Sequence, residues 1–141
     1  MQSCECCGSR IGKEHDMSDN VNHPEHYETG PFECIELSHH YSFAVGNAIK
    51  YVWRHQMKNG LEDLEKARWY LHYASEHGEE AGPVVGLTKA GRYVGVERLV
   101  DGCLDWPGFT ESGAFWLALK QHDLAGMLRA VDALIRVEKD R

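Results

Sequence analysis

Three features that mark secreted and membrane proteins are missing from this sequence. No run of about eighteen apolar residues occurs, so we predict no transmembrane helix. The first residues lack the apolar stretch of a secretory signal, so we expect no secretion. The five cysteines are odd in number and scattered, which disfavours a disulfide framework and favours a reducing compartment. We therefore expect a cytoplasmic protein with no membrane partner.

An excess of positive charge is also missing. Fifteen basic residues stand against twenty-two acidic ones, which gives a net charge of −7. Proteins that coat a nucleic-acid backbone present a basic face and release counterions, so no nucleic-acid polymer is expected as a partner. A local cationic pocket for a small anionic ligand remains compatible with this balance.

The common nucleotide-binding and hydrolytic motifs are absent as well. The stretch "GSRIGKE", residues 8–14, is one spacer short of a P-loop and ends in Glu14, where Ser or Thr is needed. No GxSxG elbow, HExxH pair or dinucleotide-binding fingerprint occurs. If this chain handles nucleotides, it does so without the usual glycine-rich cradle.

Residues 1–20 are polar and have no periodicity, which predicts a flexible, cysteine-containing tail. Zinc could in principle bind its thiols and imidazole. The Cys-x-Cys-Cys spacing suits one tetrahedral ion poorly, however, and no second ligand pair follows. We therefore predict no metal site among Cys4, Cys6, Cys7 and His15.

Helical periodicity dominates the middle of the chain. It predicts a short helix over residues 32–40, a longer one over 43–55 and another over 61–76. Asn59 and Gly60 both tolerate a left-handed backbone, so they predict a helix end between the two longer helices. The pair should form an αα-hairpin.

Residues 77–113 contain eight glycines and no regular period. Within them, residues 92–100 are compatible with either a strand or a short helix, whereas residues 112–141 predict one or two amphipathic helices. We predict a mainly α fold in three parts, with a small β element left open. The parts are the tail 1–20, a helical core 21–77 with a candidate nucleotide site, and a segment 78–141 that completes the core or makes subunit contacts.

The helix predicted over residues 43–55 carries polar and cationic side chains opposite its apolar face. The stripe contains no acid, whereas an ordinary solvated face alternates its charge signs. It consists of Asn47, Lys50, Arg54 and Lys58. Although a plain solvated surface is the alternative, we predict that this stripe binds phosphate. Acids on the next helix could pair with it, orient it or hold a divalent ion: Glu62, Asp63 and Glu65.

The stretch "NHPEHY", residues 22–27, concentrates hydrogen-bonding groups on a loop that Pro24 stiffens. Imidazoles in such a loop can contact phosphate oxygens, shuttle a proton or bind a metal. They can equally cap a helix or face water, and the residues leave these alternatives open. The groups concerned are Asn22, His23, His26 and Tyr27.

Two ExxE pairs support a rival hypothesis. Each pair places two carboxylates on one helical face, and two neighbouring pairs could bind Mg²⁺ together with substrate phosphates. All-α nucleotide pyrophosphohydrolases are similar in this respect, although ExxE pairs are also common on surface helices. The carboxylates are Glu33 and Glu36 in one pair, and Glu62 and Glu65 in the other.

Residues 22–71 resemble a small phage-encoded family known as the SaV-like domain. The shared blocks are N-H-P-x-H-Y, E-C-I-[ED], G-N-x-x-K-Y-[LV]-W-R and E-D-L-x-K-A-x-W-Y-L, and they occur here in that order. The resemblance covers about 50 of the 141 residues and leaves both the tail and the region after residue 77 unmatched.

A characterised member of that family is a nucleotide kinase of a short-tailed coliphage. The resemblance therefore implies phosphorylation of deoxynucleoside monophosphates in the host cytoplasm, with a nucleoside triphosphate as donor. It also implies that no P-loop and no metal are required, and that the protein is a homo-oligomer. A third possibility is a non-enzymatic effector that binds a host protein.

Under the kinase hypothesis, the predicted catalytic residues are His23, His26, Lys50 and Arg54. Arg54 would grip phosphate bidentately, so we expect Arg54→Ala to lose more activity than stability. Tyr51, Trp69 and Tyr70 are candidates for stacking on the base. The remaining predicted substrate-binding residues are Asn22, Tyr27, Asn47, Lys58 and Lys66, with Glu62 and Asp63 orienting the cations.

Overall fold

The computed structural model describes residues 30–84 and 89–141, and for residues 89–94 it describes the backbone alone. These ranges are mainly helical and contain no strand, which confirms the predicted fold class. The tail 1–20 lies outside them. In chain order the helices are α1 (Cys34–Ser38), α2 (Phe43–Arg54), α3 (Gly60–Glu76), α4 (Lys89–Asp105), a 3-10 helix (Pro107–Ser112), α5 (Gly113–Lys120) and α6 (Leu124–Lys139).

Helix α2 begins at a side-chain cap and buries the face that its periodicity predicts. The Ser42 hydroxyl accepts a hydrogen bond from the Val45 backbone N–H at 3.4 Å, which satisfies one of the unpaired donors of the first turn. Gly46 lets α2 approach α1 closely, because a Cβ atom there would lie 2.8 Å from the Ser38 carbonyl oxygen. The buried apolar face comprises Val45, Ala48, Ile49 and Val52.

The predicted αα-hairpin is confirmed. Residues 55–59 form the turn, and Gly60 starts α3 with a φ of +23°, a backbone conformation that favours glycine. Helix α3 then packs along α2. Its buried residues include Leu64, Ala67, Leu71 and Ala74.

The C-terminal helices pack onto this hairpin and complete its core. Residues 92–100, which the sequence left as strand or helix, belong to α4. Residues 112–141 include two helices, and the second starts where the Asp123 carboxylate accepts the Gly126 N–H at 3.0 Å. Helix α6 lies against α3, and an Arg68–Asp132 ion pair of 2.7 Å joins the two at their rim.

A cluster of aromatic rings forms the centre of the packing between the hairpin and the C-terminal segment. Trp53 at the end of α2 lies 5.3 Å from Phe32, 5.0 Å from Phe109 and 6.1 Å from Trp116, measured between ring centroids. All three contacts are edge-on, the geometry that aromatic quadrupoles favour. No described helix is long and apolar enough to cross a bilayer.

Candidate functional site

The predicted cationic stripe is only partly a surface feature. Asn47 and Lys50 are half-buried on α2, and Lys58 is exposed in the turn. Arg54, in contrast, is only 4% exposed, so the alternative of a plain solvated face does not hold for this residue. The reason is a neighbour that the α2 sequence does not contain, because α3 places the carboxylate of Asp63 against this side chain.

Arg54 and Asp63 form a buried ion pair at the closed end of the hairpin. The Nε of Arg54 donates to Oδ2 of Asp63 at 3.3 Å, and Asp63 is fully buried. The same oxygen accepts the Asn59 backbone N–H at 3.2 Å. One carboxylate thus connects α2, the turn and α3. The other oxygen, Oδ1, is buried and accepts no hydrogen bond from the residues that the structure describes.

Three cations surround the ring of Tyr51, which is itself buried. Lys50 Nζ lies 4.3 Å from the ring centroid, Lys66 Nζ 5.4 Å and Arg54 Cζ 5.6 Å. Each distance is within cation–π range. We name Lys50, Arg54 and Lys66 the cation cluster. Two helices contribute to it, and α3 also places the carboxylates of Asp63 and Glu62 beside two of its cations.

Polar neighbours hold the two lysines of the cation cluster in place. Lys50 Nζ donates to Oδ1 of Asn47 at 2.9 Å, and the Asn47 amide nitrogen donates to the Phe43 carbonyl at 2.8 Å. Lys66 Nζ lies 3.4 Å from a carboxylate oxygen of Glu62 one turn away. Asn47 and Glu62, both predicted to belong to the site, therefore orient its cations.

The field of the cation cluster reaches the adjoining helix α1. Burial raises the pKa of the Cys34 thiol to about 12, while the positive charges of Lys50 and Arg54 act in the opposite direction. These two cations therefore act on the thiol, but burial outweighs them and the pKa of Cys34 stays above its ordinary value.

Only one of the three rings predicted to stack on a base is open to solvent. Tyr51 and Tyr70 are buried and stack on each other at 6.1 Å, so their faces are not available to a ligand. Trp69 is 59% exposed and stacks on Tyr73 at 5.7 Å. Phe43, which the sequence predicts only as the start of a helix, is 68% exposed. Its spacing of four residues before Asn47 is the signal that could have identified it.

A shallow depression of about 320 Å³ runs along the outer face of α3. A single helix lines it, and two of its lining groups are the carboxylates Glu65 and Glu76. Acidic walls repel an anion, so the cation cluster is the better place for a phosphate. The other lining residues are Arg68, Trp69, His72 and Tyr73.

The two ExxE pairs are not brought together. Glu36, Glu62 and Glu65 are exposed, and Glu33 precedes the first turn of α1. In the ranges 30–84 and 89–141, no three His, Cys, Asp or Glu side chains form a group that could hold a metal ion. The histidine-containing loop with Asn22, His23, His26 and Tyr27 lies outside the described residues.

Residues 21–72 match the model of a family, DUF3310, that is described as a protein of unknown function. The match includes α1, α2 and α3 as far as His72, so the whole cation cluster lies inside it. Helices α4 to α6 lie outside it. No curated protein and no solved structure matches the chain.

Proposed function

We propose that this protein binds a deoxynucleoside monophosphate and phosphorylates it with a nucleoside triphosphate, without a P-loop. The observation that supports this is the convergence of Lys50, Arg54 and Lys66 on one ring in a protein whose net charge is −7. A local group of cations in an acidic protein suits an anionic ligand, although Arg54 pairs with Asp63 and Lys66 with Glu62. The resemblance of residues 22–71 to the SaV-like family supports the same substrate class.

The proposed reaction forms one bond and breaks another. A phosphate oxygen of the monophosphate attacks the γ-phosphorus of the triphosphate, and the bond from that phosphorus to the β–γ bridging oxygen breaks. The products are two diphosphates. At neutral pH the attacking phosphate is already largely ionised, so a strong general base is not required. Catalysis then consists mainly of positioning and of neutralising charge in a loose transition state.

The cations take different roles in this proposal. The half-buried ammonium groups of Lys50 and Lys66 contact the phosphates as point charges. Arg54 is buried and paired with Asp63, so in this proposal it contacts no phosphate directly and its ion pair fixes the closed end of the hairpin. From the matched loop, His23 or His26 positions the attacking phosphate oxygen. A homo-oligomer, which the resemblance implies, is part of the same proposal.

The deciding experiment supplies the purified protein with each deoxynucleoside monophosphate and a triphosphate, with and without EDTA, and resolves the products. Diphosphates formed from both substrates in the presence of EDTA support the proposal. Pyrophosphate and monophosphate formed from the triphosphate alone, and lost with EDTA, would indicate the magnesium-dependent pyrophosphohydrolase. No turnover of any nucleotide, together with a stable complex with a host protein, would indicate an effector.

Lys50→Gln is the sharpest single substitution for this test. It removes one charge from the cation cluster and keeps a side chain of similar length, so the fold should be retained. We expect kcat/KM for the monophosphate to fall at least tenfold, because a charge-assisted hydrogen bond contributes about 1.5–3 kcal/mol. Lys139→Gln, at the exposed end of α6, is the matched control and should leave kcat/KM unchanged. Equal kcat/KM values in the two variants would show that Lys50 does not have the proposed role.

A further inference from the structure

Two exposed aromatic side chains stand edge-on against the same buried ring. Phe43 of α2 lies 6.1 Å from Tyr70 with an interplanar angle of 74°, and Trp69 of α3 lies 5.1 Å from Tyr70 at 86°. Phe43 is 68% exposed and Trp69 59%, although large apolar side chains gain free energy from burial. Tyr70 therefore packs against two exposed aromatic side chains, one from each helix.

This aromatic end is continuous with the cation cluster. On α2, Phe43, Asn47 and Lys50 follow one another at spacings of four and three residues, which places them on one flank of the helix. On α3, Lys66 and Trp69 are three residues apart and are likewise neighbours. The stack of Tyr70 on Tyr51 joins the two ends through the interior. One face of the hairpin thus carries cations towards its turn and aromatic rings towards its open end.

The Trp69 ring is held in place before any ligand binds. Tyr73 stacks on it at 5.7 Å with an interplanar angle of 26°, and His77 stacks on Tyr73 at 3.9 Å and 15°. Trp69 and Tyr73 lie four residues apart on α3, and His77, four residues further on, is its C-terminal cap. The helix therefore sets the spacing of the three rings. A ring supported in this way loses little conformational freedom when a flat ligand stacks on it.

We infer that Phe43 and Trp69, which both pack against Tyr70, form the nucleobase subsite of the nucleotide whose phosphate lies at the cation cluster. This inference rests on the proposed function and adds Phe43 to the site. Stacking on aromatic side chains tolerates every base, because each base offers a π face. We therefore expect this subsite to bind a nucleotide by stacking on its base, with no preference among the four bases.

The test compares two ligands that differ only in the base. Isothermal titration calorimetry measures Kd for a deoxynucleoside monophosphate and for deoxyribose 5-phosphate, in the wild type and in Phe43→Ala and Trp69→Ala. Both substitutions are at exposed positions, so the fold should persist. We expect each to weaken monophosphate binding at least fivefold and to leave deoxyribose 5-phosphate binding unchanged. Trp69→Phe, which keeps a ring, should recover most of the lost affinity.

Controls separate failure of the subsite from failure of the proposed function. Leu117→Ala removes an exposed apolar side chain from α5, 46% exposed, and should affect neither ligand. If Lys50→Gln weakens both ligands while Phe43→Ala and Trp69→Ala weaken neither, the base subsite is wrong and the phosphate site stands. If the wild type binds neither ligand, both proposals fail. Sedimentation velocity on the same variants would overturn the subsite if the affinity losses simply follow a loss of self-association.

Discussion

Arg54 and Asp63 place two formal charges where solvent hardly reaches. Removing one partner of such a pair leaves the other charge uncompensated in the interior, which typically costs about 3–5 kcal/mol. We therefore expect Arg54→Ala to lower the free energy of unfolding by about that amount, as measured by urea denaturation. Arg129→Ala, which truncates an exposed arginine on α6, should change it by less than about 0.5 kcal/mol.

The burial of Arg54 changes how a loss of enzymatic activity in Arg54→Ala should be interpreted. The sequence predicts that Arg54→Ala loses more activity than stability. Because Arg54 is half of a buried ion pair, however, its removal also destabilises the fold, so part of any activity loss would come from unfolding. The double variant Arg54→Met with Asp63→Leu removes both charges and should be more stable than Arg54→Ala. If Arg54→Ala unfolds at the same urea concentration as the wild type, the ion pair does not contribute to the stability of the fold.

At the scale of single residues, the sequence predicts which side chains come together better than it predicts their burial. Lys50, Lys66 and Asp63 are all predicted site residues, and they meet around Tyr51 or Arg54. The burial of Arg54 is not predictable from α2 alone, because a helical wheel treats every polar side chain as facing water. Burial here depends on a carboxylate nine residues away on another helix, and only tertiary packing brings the two together.

At the scale of helices, replacing glycine by alanine should have opposite effects on stability at two positions. Gly46 faces the Ser38 carbonyl, which belongs to the backbone and cannot swing aside, so Gly46→Ala should force α1 and α2 apart. We expect a loss of about 1–3 kcal/mol in unfolding free energy. Gly95 lies inside α4 with nothing within 4 Å of a Cβ atom. Gly95→Ala should gain about 0.5–1 kcal/mol, because alanine loses less backbone entropy in a helix.

Thermal or urea unfolding of the two alanine variants, measured side by side, tests this contrast. Both replace the same residue type with the same side chain in a helix, so propensity alone predicts stabilisation in both. Stabilisation by Gly46→Ala would show that α1 moves away without cost.

Helix prediction succeeded where periodicity was strong and the turn was marked. Helices α2 and α3 have clear apolar faces and are separated by Asn59-Gly60, so their type and approximate bounds were predictable. Residues 92–100 were ambiguous because glycine lowers helix propensity. They are helical nevertheless, since Val96, Val100 and Cys103 fall on one face and are buried. Tertiary burial of that face overrides the weak local preference.

At the scale of the whole molecule, three weakly acidic groups in the core should make the protein sensitive to alkali. Burial raises the pKa of Cys34, Cys103 and Tyr41 above their ordinary values of 9.0 for the thiols and 10.0 for the phenol. In the unfolded chain the thiols ionise as the pH passes 9.0, whereas the folded chain keeps them protonated. Stability is therefore fully present below pH 9 and is lost above it, by about 1.4 kcal/mol per pH unit for each thiol.

Urea unfolding at pH 7, 9, 10 and 10.5 would measure this slope. The variant with Cys34→Ala and Cys103→Ala has lower stability at pH 7 because it loses buried volume, but it should lose stability less steeply above pH 9. Parallel curves for this variant and the wild type would exclude the two thiols as the cause.

Trp53 has a consequence for related chains. It lies in the last turn of α2, one position before the final residue Arg54. Two of the rings that pack against it, Phe109 and Trp116, come from beyond the matched residues 21–72. A fragment cut after the hairpin would expose an indole to water beside the buried ion pair. In proteins that share the first half of this chain but diverge afterwards, we therefore expect other side chains to cover this tryptophan. These would come from a different C-terminal sequence or from a neighbouring subunit.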